Sequence, residues 1–180
     1  MSGFLVSLRA AANRKRLQWK VVACGGRDGA RDAFLSAIKT SPETFNVLLV
    51  DAEAPVGQSP RAHLNQRDGW TLKGVREDSI HLMIQVMETW IVADPDAMAR
   101  YYDKQFLRGA FPPARNLEST ERDRIYKALK HATAKTQKGG YHKIDHAADL
   151  LEEINPAIVR RRCPSCDRLF VTLTKRIHAA

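Results

Sequence analysis

Phe45-Asn46-Val47-Leu48-Leu49-Val50-Asp51-Ala52-Glu53 is the stretch on which the fold turns. Its apolar run is nearly continuous rather than alternating, the pattern of a β-strand covered by helices on both faces, as in a parallel sheet. The run stops at Asp51. Side chains two apart on an extended chain point the same way, so the Asp51 and Glu53 carboxylates can face one ligand from the strand's C-terminal end. Upstream, Trp19-Lys20-Val21-Val22-Ala23 is a short β-rich run halted by Gly25-Gly26. A helix capped by Asp28 then carries Ala33, Phe34, Ala37 and Ile38 on one face and ends before Ser41-Pro42. Residues 19–50 thus predict a β-α-β unit with a right-handed crossover, and the fold class is α/β, an open, mainly parallel sheet flanked by helices.

Working outward, residues 4–12 have helical spacing and lead into a basic turn. Residues 54–79 are polar and hold Pro55, Gly57, Pro60, Gly69 and Gly74, so they predict a loop with a short helix near 61–66. Residues 81–86 read as another buried strand, running without a Gly or Pro break into a helix at 88–93, and Asp94-Pro95 starts the next helix. After an irregular 109–113, Ser119-Thr120-Glu121-Arg122 offers an N-cap to a helix with Ile125, Ala128 and Leu129 inward, ending at Lys138-Gly139-Gly140. A helix over 145–154 follows, and Pro156 and Pro164 each start one more, the last with Leu169, Phe170 and Leu173 inward. The organisation expected is one domain: an α/β core over 1–100, an irregular connection over 101–118 and a helical part over 119–180.

With 180 residues, 44% hydrophobic and 27% charged, the chain matches ordinary globular proteins, which argues against disorder and fibrous architectures. No apolar run approaches the roughly 20 residues a membrane-spanning helix needs, and no basic leader precedes the apolar N-terminal patch, so a cytoplasmic location is expected. Three cysteines agree with a reducing compartment. Cys163-x-x-Cys166 is half of a zinc site without a second pair. The formal charge of +9 draws the chain toward polyanions, nucleic acid above all. Candidate contacts are Arg14, Lys15 and Arg16 with Lys20, then Arg160 and Arg161 with Arg162, then Lys175 and Arg176. The same residues also complement helix dipoles as a structural matter.

An oxygen-rich pair such as Asp51 and Glu53 suits Mg²⁺ or Mn²⁺, which keep several waters and bridge to phosphate oxygens. The plainer reading is a solvated pair capping the following turn. Glu88, just past the strand at 81–86, becomes a third carboxylate if that strand neighbours the one ending at Asp51; otherwise it is an acid favoured by a helix N-terminus. His81, at the start of its strand, reads as structural. Lys138, His142 and Lys143 around Gly139-Gly140 form a cationic loop before a helix N-terminus, able to hold phosphate. His142 is there a candidate general acid or base; the alternative is a flexible turn with solvated lysines. Trp70 and Trp90 read as packing residues, and Arg168 as a partner of Asp167 or of an acidic loop. No G-x-G-x-x-G, Walker A, G-x-S-x-G or HExxH pattern is present.

Six blocks in order carry a resemblance: Val21-Val22-Ala23-Cys24-Gly25-Gly26-Arg27; Leu48-Leu49-Val50-Asp51-Ala52-Glu53-Ala54-Pro55; Arg67-Asp68-Gly69-Trp70; His81-Leu82-Met83-Ile84-Gln85-Val86-Met87-Glu88-Thr89-Trp90 through Ala93-Asp94; Lys138-Gly139-Gly140-Tyr141-His142-Lys143; and Asp167-Arg168-Leu169-Phe170. Together they resemble the bacterial family called domain of unknown function 4276. The resemblance implies a Toprim-like, that is Rossmann-like, fold in which a glutamate after the first strand and an acidic pair after a later one bind magnesium, Asp51 and Glu53 matching the pair. It also implies a first strand ending in Glu-Gly, whereas Met1-Ser2-Gly3-Phe4 resembles the start of the helix after that strand. Two functions are expected from this. One is a magnesium-dependent nuclease or phosphoesterase acting on nucleic acid, in bacterial defence. The other is a non-catalytic interaction module working beside a partner ATPase. Neither reading sets the oligomeric state.

Overall fold

A computed structural model describes residues 3–113, 115 and 117–180. Met1 and Ser2, at the start of the expected first helix, and Ala114 and Asn116, in the expected irregular connection, lie outside the described residues. The order is α1 (Val6–Arg14), α2 (Arg27–Thr40), β1 (Leu48–Asp51), α3 (Pro60–Asp68), β2 (Ile80–Met83), α4 (Met87–Val92), α5 (Pro95–Tyr102), α6 (Arg122–Thr133), α7 (Lys143–Glu153), α8 (Pro156–Arg162) and α9 (Pro164–Ala179). Short 3₁₀ turns at Glu77–Ser79, Arg108–Ala110 and Leu117–Ser119 complete it. The expectation of an α/β architecture with a parallel sheet holds in its coarse form. β1 and β2 pair in parallel, with Leu48 opposite Ile80 and Asp51 opposite Met83.

Alternation along these strands separates two apolar layers. Leu48, Val50, Ile80 and Leu82 pack with Phe34 of α2, Leu64 of α3 and Trp70. Leu49 and Met83 join the larger core built by α1 and α4–α9 around Trp90, Ile91, Leu129, Leu150 and Leu169. Both faces are covered, which is why the strand sequences are apolar without alternation. Trp70 and Trp90 are buried packing residues as expected, and the Arg27 and Arg31 guanidiniums lie over the Trp70 ring.

Several boundaries differ from the sequence reading. Trp19–Ala23 was expected to be a strand, but residues 17–24 belong to no ladder, so the β-α-β unit is not closed. A strand exists only by pairing, and a groove separates this segment from β1. The first turn of α2 is reached through Gly26 rather than capped by Asp28, which lies inside the helix. Gly29 is required there, since a Cβ at that position would sit 2.4 Å from the Cys24 carbonyl oxygen. α6 starts after Glu121, not at a Ser119 cap, and ends at Thr133 before the Lys138 turn. By contrast Ser59, Asp94 and Asn155 cap α3, α5 and α8, each followed by the proline that favours a first helical position.

Arg168 was expected to meet Asp167 or an acidic loop; it does not pair with Asp167, and it meets the Glu77-Asp78 turn through backbone carbonyls rather than carboxylates. Asp167 pairs with Arg160 at 2.8 Å. Arg168 donates instead to the Ile80 and Glu77 carbonyl oxygens at 2.7 and 2.9 Å, and to His81 Nδ1 at 3.2 Å. Because an arginine only donates, His81 Nδ1 accepts, and its Nε2–H donates to the Asp78 carbonyl at 3.0 Å. This fixes a neutral imidazole, and burial with the nearby Arg168 charge pushes its pKa down to about 4. His81 is structural, as read. Arg168→Ala should cost about 2–3 kcal/mol, since it strands buried acceptors, while Arg161→Ala, on an exposed residue, should change stability by about 0.5 kcal/mol or less; urea unfolding of the two variants checks the contrast.

Candidate functional site

The parallel register places the C-terminal ends of β1 and β2 side by side, and α4 begins four residues past Met83. Glu88, in the first turn of α4, therefore arrives beside Asp51. Asp51 Oδ1 accepts the Met87 backbone N–H at 2.7 Å, so this carboxylate also caps α4, whose own cap residue Val86 has no side chain that can. Glu88 is fully buried. Its Oε1 accepts from the Tyr141 hydroxyl at 2.9 Å and its Oε2 from the Tyr126 hydroxyl at 3.3 Å. Lys143, the first residue of α7, bridges the two acids, 3.5 Å from Asp51 Oδ2 and 3.3 Å from Glu88 Oε1.

The loop that delivers Tyr141 and Lys143 is fixed by threonines. Thr133 Oγ1 accepts the Tyr141 N–H at 2.7 Å, and Thr136 donates to the Thr133 and Gly139 carbonyls. Gly139 takes a φ of +80°, a conformation open to glycine without steric cost. The loop is thus held by its own threonine hydrogen bonds, with Lys138 and Lys143 exposed on it.

Burial pushes the Asp51 carboxyl up to about 6; Lys143 opposes that rise and Glu88 adds to it. Tyr141 is pushed far up by burial and by Glu88, and Tyr126 up to about 12 for the same causes. Both stay protonated and serve as donors. Burial pulls the Lys143 ammonium down, but Asp51 and Glu88 outweigh it, leaving the lysine above its ordinary value and charged.

Glu53 does not join them. The expected convergence of Asp51 and Glu53 requires extended backbone through both, yet Glu53 has φ +62° and the two-residue alternation fails there. Its carboxylate pairs with Arg122 of α6 at 2.7 Å instead. Among the described residues no group of three or more His, Cys, Asp or Glu is arranged to hold a metal ion. Asp51 and Glu88 are two carboxylates bridged by one lysine, oxygen donors of the type that Mg²⁺ or Mn²⁺ takes.

The other candidates disperse. His142 contacts Asp145 at 2.9 Å and, through its N–H, His146, not the carboxylates. Lys138 lies over the Tyr101 ring at 4.3 Å. Arg14, Lys15 and Arg16 are exposed at the end of α1. Arg160 is engaged by Asp167 and lies over Phe170, while Arg161 is exposed. Cys163 and Cys166 are buried thiols, burial pushing Cys166 up to about 12. Tyr126, Tyr141 and Arg122 also belong to the site, although the sequence reading gave none of them a place there. Tyr141, two residues before Lys143 in a glycine-bounded block, offered the one signal.

The titrations make opposing demands on stability. Asp51, with its folded pKa above the free value of 3.8, binds its proton more tightly when folded, so its contribution falls as pH rises from about 4 to about 6. His81, with its folded pKa below 6.5, contributes stability that is lost as pH falls from about 6.5 to about 4. Asp51→Asn removes only the first effect. Relative to wild type in metal-free buffer, this variant should gain about 2–3 kcal/mol between pH 4 and pH 7, read as the difference between two series of urea unfolding curves.

No curated protein and no solved structure matches this chain. A family model does, over residues 7–174, nearly the full length, and its description is Domain of unknown function (DUF4276). The buried Asp51–Glu88 pair and its lysine and tyrosines thus stand in a member of that family, to which the chain belongs.

Proposed function

We propose that the strand-end cluster of Asp51, Glu88 and Lys143 is a site for a phosphoester, worked with Mg²⁺ or Mn²⁺, and that its substrate is nucleic acid. The observation that carries this reading is a fully buried glutamate held by two tyrosine hydroxyls, 3.3 Å from a half-exposed lysine that also reaches Asp51. Burying Glu88 costs free energy unless its charge is paired and hydrogen-bonded, and the lysine that pairs with it is half-exposed, open to exchange with a ligand. A bound divalent ion would supply Lewis acidity to a phosphoryl oxygen and lower the pKa of water. In the chain itself, Asp51 and Glu88 would hold the ion. Tyr126 and Tyr141 keep Glu88 oriented with both oxygens fixed. Lys143, released from the acids, would take a phosphate oxygen as a point charge. The exposed Arg14, Lys15, Arg16 and Arg161 would contribute general attraction to a polyanion rather than sequence readout. Glu53 and Arg122 flank the site, and His142 has no part in this scheme.

A second reading is a non-catalytic interaction module, for example one working beside an ATPase. One observation favours it: Arg122 pairs with Glu53 and Lys143 with both Asp51 and Glu88, so each of the three acids already has a cationic partner from within the chain.

Titration calorimetry with Mn²⁺ and Mg²⁺, together with nicking of supercoiled plasmid, separates the two. The proposal expects saturable binding at pH 7.5 that weakens tenfold or more in Asp51→Asn and Glu88→Gln, each checked for folding by circular dichroism. Lys143→Met should bind the ion more tightly, because a competing charge is gone, yet nick plasmid more slowly. A folded wild-type chain that binds neither ion would leave the interaction module as the function.

A further inference from the structure

We propose that the hollow between α6 and residues 109–113 seats a single-stranded segment of nucleic acid, a placement that rests on the nucleic-acid reading above. The hollow holds about 440 Å³. Arg124, Lys127 and His131 of α6 line one side, and Phe111, Pro112 and Pro113 line the other. The three basic residues stand three and four positions apart, which puts them on one face of the helix. At a rise of about 1.5 Å per residue they spread over about 10 Å of its axis, a row along which successive phosphates can lie.

These cations are available to an anion where others on the molecule are not. Asp123, the acid beside Arg124 in sequence, leans to Arg122 at 3.7 Å, and among the described residues no carboxylate pairs with Arg124, Lys127 or the exposed Lys130. A second basic hollow, lined by Arg76, Lys175 and Arg176, is different: Asp78 pairs with both of its arginines. A phosphate entering there must displace a carboxylate, whereas one entering at α6 displaces only water and counterions. The apolar wall is held in place. The Leu107 N–H donates to the Ala132 carbonyl of α6 at 2.9 Å, Arg108 pairs with Asp96 of α5, and the Phe111 ring packs on Phe106 with centroids 5.6 Å apart.

One cationic wall facing one apolar wall selects the form of the occupant. A single strand offers phosphates along one side and unstacked bases along the other, and aromatic rings take such bases by stacking. A duplex hides its bases and has nothing to give the apolar wall. Phe111 is half-buried, so part of its ring lies open to the hollow. The same helix links this hollow to the strand-end cluster, since Arg122 and Tyr126 turn to Glu53 and Glu88. With 3.6 residues per turn, Lys130 falls between Tyr126 and Lys127 around the axis. A nucleic-acid chain leaving the cluster therefore crosses α6 over Lys130 and enters the hollow.

The probe is a fluorescein-labelled oligothymidylate of about 12 nucleotides, within the span of known single-strand sites, read by fluorescence anisotropy with the full chain in EDTA. Saturable binding is expected, weakening between about 50 and 200 mM NaCl. The double variant Arg124→Gln/Lys127→Gln should bind at least about fivefold more weakly and lower the log–log salt slope by about 1.4, since each phosphate contact on a single strand contributes about 0.7. Phe111→Leu, which keeps an apolar side chain against Phe106, should also bind about fivefold or more weakly, with the slope unchanged. The same loss of two charges in Arg76→Gln/Lys175→Gln should change binding by less than about twofold. The placement is overturned if the oligothymidylate does not bind, if that control is weakened as much as the α6 variant, or if Phe111→Leu binds as wild type. A duplex of the same length that binds as tightly overturns it too. With no divalent ion present, the outcome is independent of the strand-end cluster. Binding through α6 by a chain that takes up neither Mg²⁺ nor Mn²⁺ keeps the hollow and removes the cluster as an ion site, and the converse result does the opposite.

Discussion

Eight residues in two short parallel strands set the position of everything else. The register that puts Asp51 opposite Met83 also puts the start of α4 next to the end of β1, and that adjacency alone brings Glu88 to Asp51. Such a short ladder contributes few hydrogen bonds of its own. It is held by apolar layers on both faces, α2 and α3 with Trp70 on one side and the helical body around Trp90 on the other. The two layers do separate jobs: the first packs on the strands, while the second carries α6, α7 and the loop between them, which bring Tyr126, Lys143 and Tyr141 to the site.

Asp51 shows how structure and chemistry are entangled at a strand end. Its carboxylate meets an unpaired amide at the start of α4, a structural duty, and it is buried deeply enough to hold a proton up to about pH 6. Glu88 is more buried still, yet each of its oxygens has a hydroxyl donor. Lys143 is the counter-charge shared by the two acids, and it is half-exposed where Tyr141 beside it is buried.

Much of this was legible in the chain. The continuous apolar run before Asp51, the helix starts at Asp94-Pro95 and at Pro156, and the inward Leu169, Phe170 and Leu173 each follow from local pattern, and the structure places them accordingly. Trp19-Lys20-Val21-Val22-Ala23 reads as a strand by the same rules and is not one, because strand propensity becomes a strand only where an edge is within reach. Asp28 and Ser119 were capping candidates by composition, but the backbone enters each helix one or more residues away.

The sequence by itself determined the residue types available to a site and the segments that would be buried, since both depend on neighbours within a few positions. It pointed to Asp51, Glu88 and Lys143 separately. Only the tertiary structure decided that these three meet, that Glu53 turns away through its left-handed backbone to Arg122, and that Tyr126 and Tyr141 hold Glu88. Those hydrogen bonds and ion pairs join residues 38 to 92 positions apart. Such separations are spanned by strand register and helix packing, energies that belong to the assembled core and to no local stretch of the chain.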